Sequence, residues 1–201
     1  RSSTLLQDNC GRCLQMPCSK SFAQRAIICA ALAEGVSHLH GYTPCGDSEA
    51  ALSVVRALGA DVRQDGNVLV IKGGAAQAGR VGAAGAECYA NMHVGESGLL
   101  ARMMIPLMAQ LHDGPVAITG EKTLLERPLT GAREILETFG CKILHCVQDD
   151  RGESRDDVLG PQGDGAIRIP LTVRGPLRSG GRAVISGKHG SQLITGLLMA
   201  L

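Results

Sequence analysis

Apolar positions along the chain gather into a few helical blocks separated by short alternating stretches, and the order of the blocks recurs. From Ser21 to Ala33, apolar Ala26, Ile27, Ala30, Ala31 and Leu32 leave little polar surface, which predicts a helix buried nearly all round, capped by Ser21. Glu34-Gly35 ends it, Val36 to His40 alternates as a strand does, and a second helix is predicted over Ser48 to Leu58, closed by Gly59. Ala60 to Arg63 and Val68 to Ile71 then read as a hairpin across Gln64-Asp65-Gly66-Asn67, with Asp-Gly as the turn signal.

The same order restarts at Gly98. A helix to Gln110 carries Leu99, Leu100, Met103, Met104 and Leu107, and is followed by a turn at His112-Asp113-Gly114 and a strand from Pro115 to Thr119. Next come a helix from Leu129 to Phe139, a strand from Cys141 to Val147, a polar loop through Asp149 to Gly165 and a strand from Ala166 to Val173. A third copy opens with a strand at Arg182 to Ser186 and a helix from Ser191, where the sequence stops at Leu201 in mid-helix; the chain reads as truncated. Helix–strand–helix–hairpin units cannot bury both faces alone. Stacked copies with apolar helices inside and hairpin sheets outside are therefore expected, an α/β (α+β) fold.

Composition narrows the function. A hydrophobic share of 44% over 201 residues is ample for a core, but two Phe, two Tyr and no Trp leave no stacking platform for bases. With 20 basic and 19 acidic residues there is no broad basic face, so nucleic acid is not expected as a partner. The apolar stretch Leu99 to Leu111 is interrupted by Arg102 and Pro106 and is too short for a membrane span, and no secretory signal is read. Eight cysteines, several inside apolar patterns, suit a reducing compartment, and a cytoplasmic location is expected. Cys10 and Cys13 have metal-like spacing but no second pair completes a site, so no metal is expected; His38 and His40 read as surface residues of a strand. Gly73-Gly74 and the Gly/Ala run to Ala86 read as a linker, because no Gly-Lys-Ser/Thr comes after them.

The chemistry gathers at helix starts, whose unpaired amides and partial positive charge suit phosphates and carboxylates. Lys20, Ser21 and Arg25 form a first cluster, with Ser21 and Arg25 four apart on one helix face. Gly95-Glu96-Ser97-Gly98, followed by Arg102, allows close backbone approach to a ligand. Arg127, held extended by Pro128, makes a fork for a carboxylate or phosphate; the plain alternative is a salt bridge to Glu126 or Glu121. Ser186-Gly187-Lys188-His189-Gly190-Ser191-Gln192 could cradle a phosphate, the alternative being a loop with a serine cap. Together these ends suggest a site for a doubly acidic substrate.

The run of Ser19-Lys20-Ser21 with Arg25, Leu58-Gly59-Ala60, Glu96-Ser97-Gly98 with Arg102, Thr119-Gly120-Glu121, Leu125-Glu126-Arg127-Pro128 and Gly190-Ser191-Gln192 resembles the EPSP synthases (3-phosphoshikimate 1-carboxyvinyltransferases) over nearly the whole chain, in order. The resemblance implies a two-domain fold of repeated βαβαββ units, as in enolpyruvyl transferases. Residues 1–19 would then be a first strand region belonging with a further domain, and 20–201 a shikimate-phosphate-binding domain with an incomplete third repeat. It implies enolpyruvyl transfer from phosphoenolpyruvate to the 5-hydroxyl of shikimate 3-phosphate, without metal or organic cofactor, by a protein that is monomeric at full length. Lys20 would contact both substrates and act in catalysis, Ser21 and Arg25 would hold the shikimate ring, and Gly98 and Arg127 would receive phosphoenolpyruvate. Gly190 and Ser191 would cradle the shikimate phosphate, with Gln192 packed by the ring. A chain of this length alone is expected to be inactive.

Three positions depart from the family pattern: Cys18 stands for Gly, Gln24 for Asn, and Gly190 for Ser, the last removing one hydroxyl worth about 1 kcal/mol as a hydrogen bond. The competing readings are a UDP-N-acetylglucosamine enolpyruvyl transferase, whose pattern lacks Leu-Glu-Arg-Pro, a non-catalytic module binding a phosphorylated hydroxy acid, and RNA 3′-phosphate processing, which the missing basic surface disfavours.

Overall fold

The structure is a computed structural model that describes residues 5–7, 13–74, 90–112, 114–145, 167–178, 184–185 and 187–201. It divides into two compact units, Arg1–Ala78 and Gly79–Leu201.

In the first unit, strands β1 (Leu5–Gln7) and β2 (Cys13–Gln15) pair antiparallel by themselves. Helix α1 (Lys20–Leu32) comes next, then β3 (Val36–His40), α2 (Gly46–Ala57), β4 (Asp61–Asp65) and β5 (Val68–Lys72). The last three strands form an antiparallel sheet in the order β3-β5-β4. Pairing of Asp65 with Val68 leaves a two-residue turn at Gly66 and Asn67, where Gly66 takes a φ of +56° that only glycine adopts at no cost. Residues opposite one another share a face. Leu39, Leu69 and Ile71 therefore lie on the face that α1 and α2 cover, while His38, Val70 and Arg63 line the other, and both histidines of β3 are exposed as expected.

The second unit runs β6 (Ala90–His93), α3 (Gly98–Leu111), β7 (Val116–Thr119), a single 3₁₀ turn (Lys122–Leu124), α4 (Ala132–Thr138), β8 (Lys142–His145), β9 (Leu171–Arg174), a second 3₁₀ turn (Gly187–His189) and α5 (Gln192–Ala200). Its sheet order is β6-β7-β9-β8, with β6 and β7 parallel and the other pairs antiparallel. Through β9 this is one βαβαββ unit, and β7-β9-β8 repeats the β3-β5-β4 order of the first unit. The repeat expected from the sequence is therefore real, with mixed sheets and buried helices. Leu100, Met103, Met104, Ile105, Leu107 and Met108 of α3 are fully buried, each contributing roughly 1.5–3 kcal/mol of gross apolar transfer. Pro106 lies inside α3 and leaves the Arg102 carbonyl without its i+4 amide donor.

Several boundaries differ from expectation. Helix α1 begins at Lys20 and is capped by Ser19, whose Oγ accepts from Phe22 N at 3.4 Å; Ser21 is already inside the helix. Helix α2 starts at Gly46 because Ser48 sits at its third position, where its hydroxyl accepts from Cys45 N at 3.0 Å. Helix α4 starts at Ala132, not Leu129: Gly131 has a φ of +78°, and Leu129 N donates to Ile167 O across the unit at 2.8 Å. The same pairing, with Pro170 behind it, holds Ile167 and Arg168 outside β9. Val184 and Ile185 are not in a strand, so the third-copy strand is absent among its described residues. Gly73 and Gly74, expected to open a linker, are instead tied to the end of α1 and the turn after it, their amides donating to Gly35 O at 2.9 Å and Ala31 O at 3.1 Å. The expected loop 149–165, the rest of the expected linker to Ala86, Cys10 and Ser186 lie outside the described residues.

Candidate functional site

Parallel strands end side by side, and in α/β sheets that edge is where helix starts and loops converge on ligands. Here the loops behind β6 and β7 are joined by main-chain bonds, Val94 N to Thr119 O at 2.9 Å and Glu121 N to Gly95 O at 3.0 Å. Gly95 has a φ of +58° and lets the β6 loop turn sharply into α3. Ser97 caps α3, its buried hydroxyl accepting from Leu100 N at 3.1 Å.

Around the first turn of α3 the structure brings three residues together. Arg102 donates from Nη1 to Gly98 O at 2.9 Å and from Nη2 to Pro128 O at 2.9 Å. Arg127 donates from Nη2 to Thr123 Oγ1 at 3.0 Å. A Cβ at Gly98 would stand 2.9 Å from Arg102 Nη1 and 3.9 Å from Arg127 Nη1, so both guanidinium groups flank the bare backbone of Gly98. Among the described residues no carboxylate lies within ion-pair distance of either arginine. Burial lowers the Arg102 guanidinium from its ordinary value, and the charge on Arg127 lowers it further. Two like charges this close repel by roughly 1–2 kcal/mol at the dielectric of a protein surface. The alternative that Arg127 pairs with Glu126 or Glu121 is not what is found: Glu121 lies 3.9 Å from Lys122, and the Glu126 carbonyl accepts from Arg168 Nε at 3.3 Å.

Lys122 makes a link between the two loops that the sequence pattern does not mark. Its Nζ bonds Glu96 Oε1 at 2.7 Å, a contact that raises the ammonium above its ordinary value and ties the β7 loop to the β6 loop. Its φ of +51° is a left-handed conformation rare for lysine. Nothing in the local residue pattern signals this pair, whose members are 26 positions apart.

In the first unit, Lys20, Ser21 and Arg25 occupy the first turns of α1. Lys20 and Ser21 are exposed, and Arg25 folds back so that Nη1 donates to Ser21 O at 3.0 Å. Gln24 is buried, with Nε2 donating to Lys20 O at 3.3 Å. Cys18 Sγ accepts from Thr43 N at 3.4 Å, a contact no glycine could make. A cleft of about 270 Å³ lies along the flank of α1, between Phe22, Ala23, Ala26 and the β3 residues Leu39 and His40; Lys20, Ser21 and Arg25 do not line it.

Gly190, Ser191 and Gln192 open α5. Gly190 has a φ of +90°, and the exposed Ser191 makes no side-chain cap: its carbonyl accepts from Thr195 N and Oγ1, both at 2.8 Å. The serine cap is thus not formed. Among the described residues no three His, Cys, Asp or Glu side chains gather to hold a metal, and no helix is long and apolar enough to cross a membrane.

The family model described as EPSP synthase (3-phosphoshikimate 1-carboxyvinyltransferase) matches residues 9–151. Curated 3-phosphoshikimate 1-carboxyvinyltransferases of Clostridium kluyveri and Thermococcus kodakarensis are each 32% identical, over 94% and 92% of this chain. The chain covers only 37% of the length of either. A solved EPSP synthase from Acinetobacter baumannii shares the fold with a TM-score of 0.67 at 22% identity, over 93% of this chain and 37% of that one. With the match running through Lys20, Gly98, Arg102 and Arg127, the chain belongs to the EPSP synthase family.

Proposed function

We propose that this chain supplies the shikimate 3-phosphate-holding part of a 3-phosphoshikimate 1-carboxyvinyltransferase, with residues 1–19 a strand region of a further domain and 20–201 the substrate-binding domain. In that reaction the 5-hydroxyl oxygen of shikimate 3-phosphate adds to C2 of phosphoenolpyruvate, giving up its own proton to a base as C3 takes a proton from an acid. The tetrahedral intermediate then loses a proton from C3 to a base while its C2–O bond to phosphate breaks, leaving the enolpyruvyl ether and inorganic phosphate. The chemistry needs placed cations and acid–base groups and no cofactor. Lys20 serves the reacting centre, Ser21 and Arg25 hold the shikimate ring, and Gly98 and Arg127 receive phosphoenolpyruvate. Gly190, Ser191 and Gln192 take the shikimate phosphate and ring edge. We place the whole protein in the cytoplasm as a monomer.

The observation that carries this reading is the family match running through Lys20, Ser21, Arg25, Gly98 and Arg127, and the pair of guanidinium groups flanking Gly98, with no carboxylate among the described residues to neutralise them, supports the phosphoenolpyruvate end. An anion with two charged ends offsets their repulsion, and a helix start adds to the attraction. Calorimetry of this chain with shikimate 3-phosphate and with UDP-N-acetylglucosamine tests it. Binding of the first alone, weakened roughly tenfold by Arg25→Gln, is expected; binding of the second alone overturns the reading.

A further inference from the structure

Both hydrogen bonds of Arg102 go to backbone carbonyls, one at the start of α3 and one on the residue directly after Arg127. A single fork therefore clamps the segment that carries Arg127 to the first turn of α3. Arg127 has one side-chain hydrogen bond besides, to Thr123. Only a planar group with donors on two nitrogens spans two carbonyls in this way; a lysine ammonium concentrates its donors on one atom. The fork that makes the clamp is itself charged, and it sets a half-buried cation beside a second cation, with no carboxylate among the described residues within ion-pair distance of either. That arrangement is unfavourable until an anion arrives.

We infer that Arg102 is a positioning residue for Arg127, fixing the Arg127-Pro128 segment against Gly98 and backing it with a second positive charge so that this face takes a doubly charged phosphorylated acid. The inference rests on the reading of Gly98 and Arg127 as the end that receives phosphoenolpyruvate. Arg102 itself acts through Arg127.

The test uses the whole chain with its arginine Nε–H groups observed by nuclear magnetic resonance, and phosphoenolpyruvate titrated with and without shikimate 3-phosphate. In Arg102→Lys, which keeps the charge and loses the fork, the Arg127 Nε–H signal shifts toward that of a free solvent-exposed arginine, while the amide signals of α3 beyond its first turn stay in place. Phosphoenolpyruvate affinity falls roughly tenfold and shikimate 3-phosphate affinity does not change. An Arg127 signal identical in the wild type and Arg102→Lys overturns the inference whatever binds, and so does a moved signal with undiminished phosphoenolpyruvate affinity. A moved signal in a protein whose wild type never binds phosphoenolpyruvate upholds the clamp and overturns the reading of the site. If Arg102→Lys does not fold, Arg102→Gln, which can reach only one of the two carbonyls, is read by the same signals.

Discussion

Gly196 of α5 lies against the backbone of Met103 in α3 so closely that a Cβ there would stand 2.5 Å from the Met103 carbonyl oxygen. The contact is between main chains, so no rotamer change can relieve it. Gly196→Ala is expected to destabilise the second unit by about 1–3 kcal/mol. A fall of several degrees in the thermal midpoint checks it, and an unchanged midpoint means α5 can move off α3 without cost.

Tyr42 is 6% exposed, and its hydroxyl lies 3.0 Å from Ser48 Oγ and donates to Glu49 Oε1 at 2.7 Å. Burial above all pushes its pKa up to about 12. The folded state therefore holds this proton more tightly than the unfolded chain does. The resulting stability is complete below about pH 10, the unfolded value, and is lost as pH climbs to about 12. Tyr42→Phe is expected to cost about 1 kcal/mol at neutral pH. Denaturant titrations between pH 9 and 12 should show a shallower decline for the variant, and parallel curves would remove the buried phenol as the cause.

Much of the fold is legible in the sequence, and the misses have identifiable causes. The strand Val36–His40 and the hairpin turn after Asp65 are local, set by alternation and by one glycine, and they match within two residues. Pattern alone assigns the α1 cap to the wrong serine because Ser19 and Ser21 flank Lys20, and only the backbone shows which hydroxyl reaches a third-position amide. Leu129 looks helical on pattern, yet its amide is used by Ile167, 38 residues on, and no local signal reports that. Strand β6 is short, and its Asn91 and His93 alternate with Met92 too briefly to stand out. Gly98, Arg102 and Arg127 are each legible as anion-binding types, but their meeting at one backbone point depends on the parallel pairing of β6 and β7.

Gly190 stands where the family pattern has serine, and its φ of +90° explains the glycine here: nothing lies within 4 Å of a Cβ, so the obstacle is backbone conformation and not space. Gly190→Ser is expected to lower stability by about 1 kcal/mol or more, read from the thermal midpoint. An unaltered midpoint means the segment relaxes to negative φ.

Cys141 is buried, and burial pushes its thiol up to about 11. The thiolate is the reactive form, so at pH 8 this cysteine is expected to resist iodoacetamide in the native protein and to react once guanidinium unfolds it. Peptide mass spectrometry after timed alkylation decides it; labelling of Cys141 as fast as the partly exposed Cys18 and Cys45 would contradict the packing.

Since β6 and β7 advance in step, one residue added to either strand displaces its loop by about 3.3 Å and turns alternate side chains to the wrong layer. A slip of that size exceeds the stretch that a hydrogen-bonding fork tolerates. Homologous chains of different length should therefore carry their insertions elsewhere than in these two strands, and a viable insertion within them should come paired with a compensating one in its neighbour.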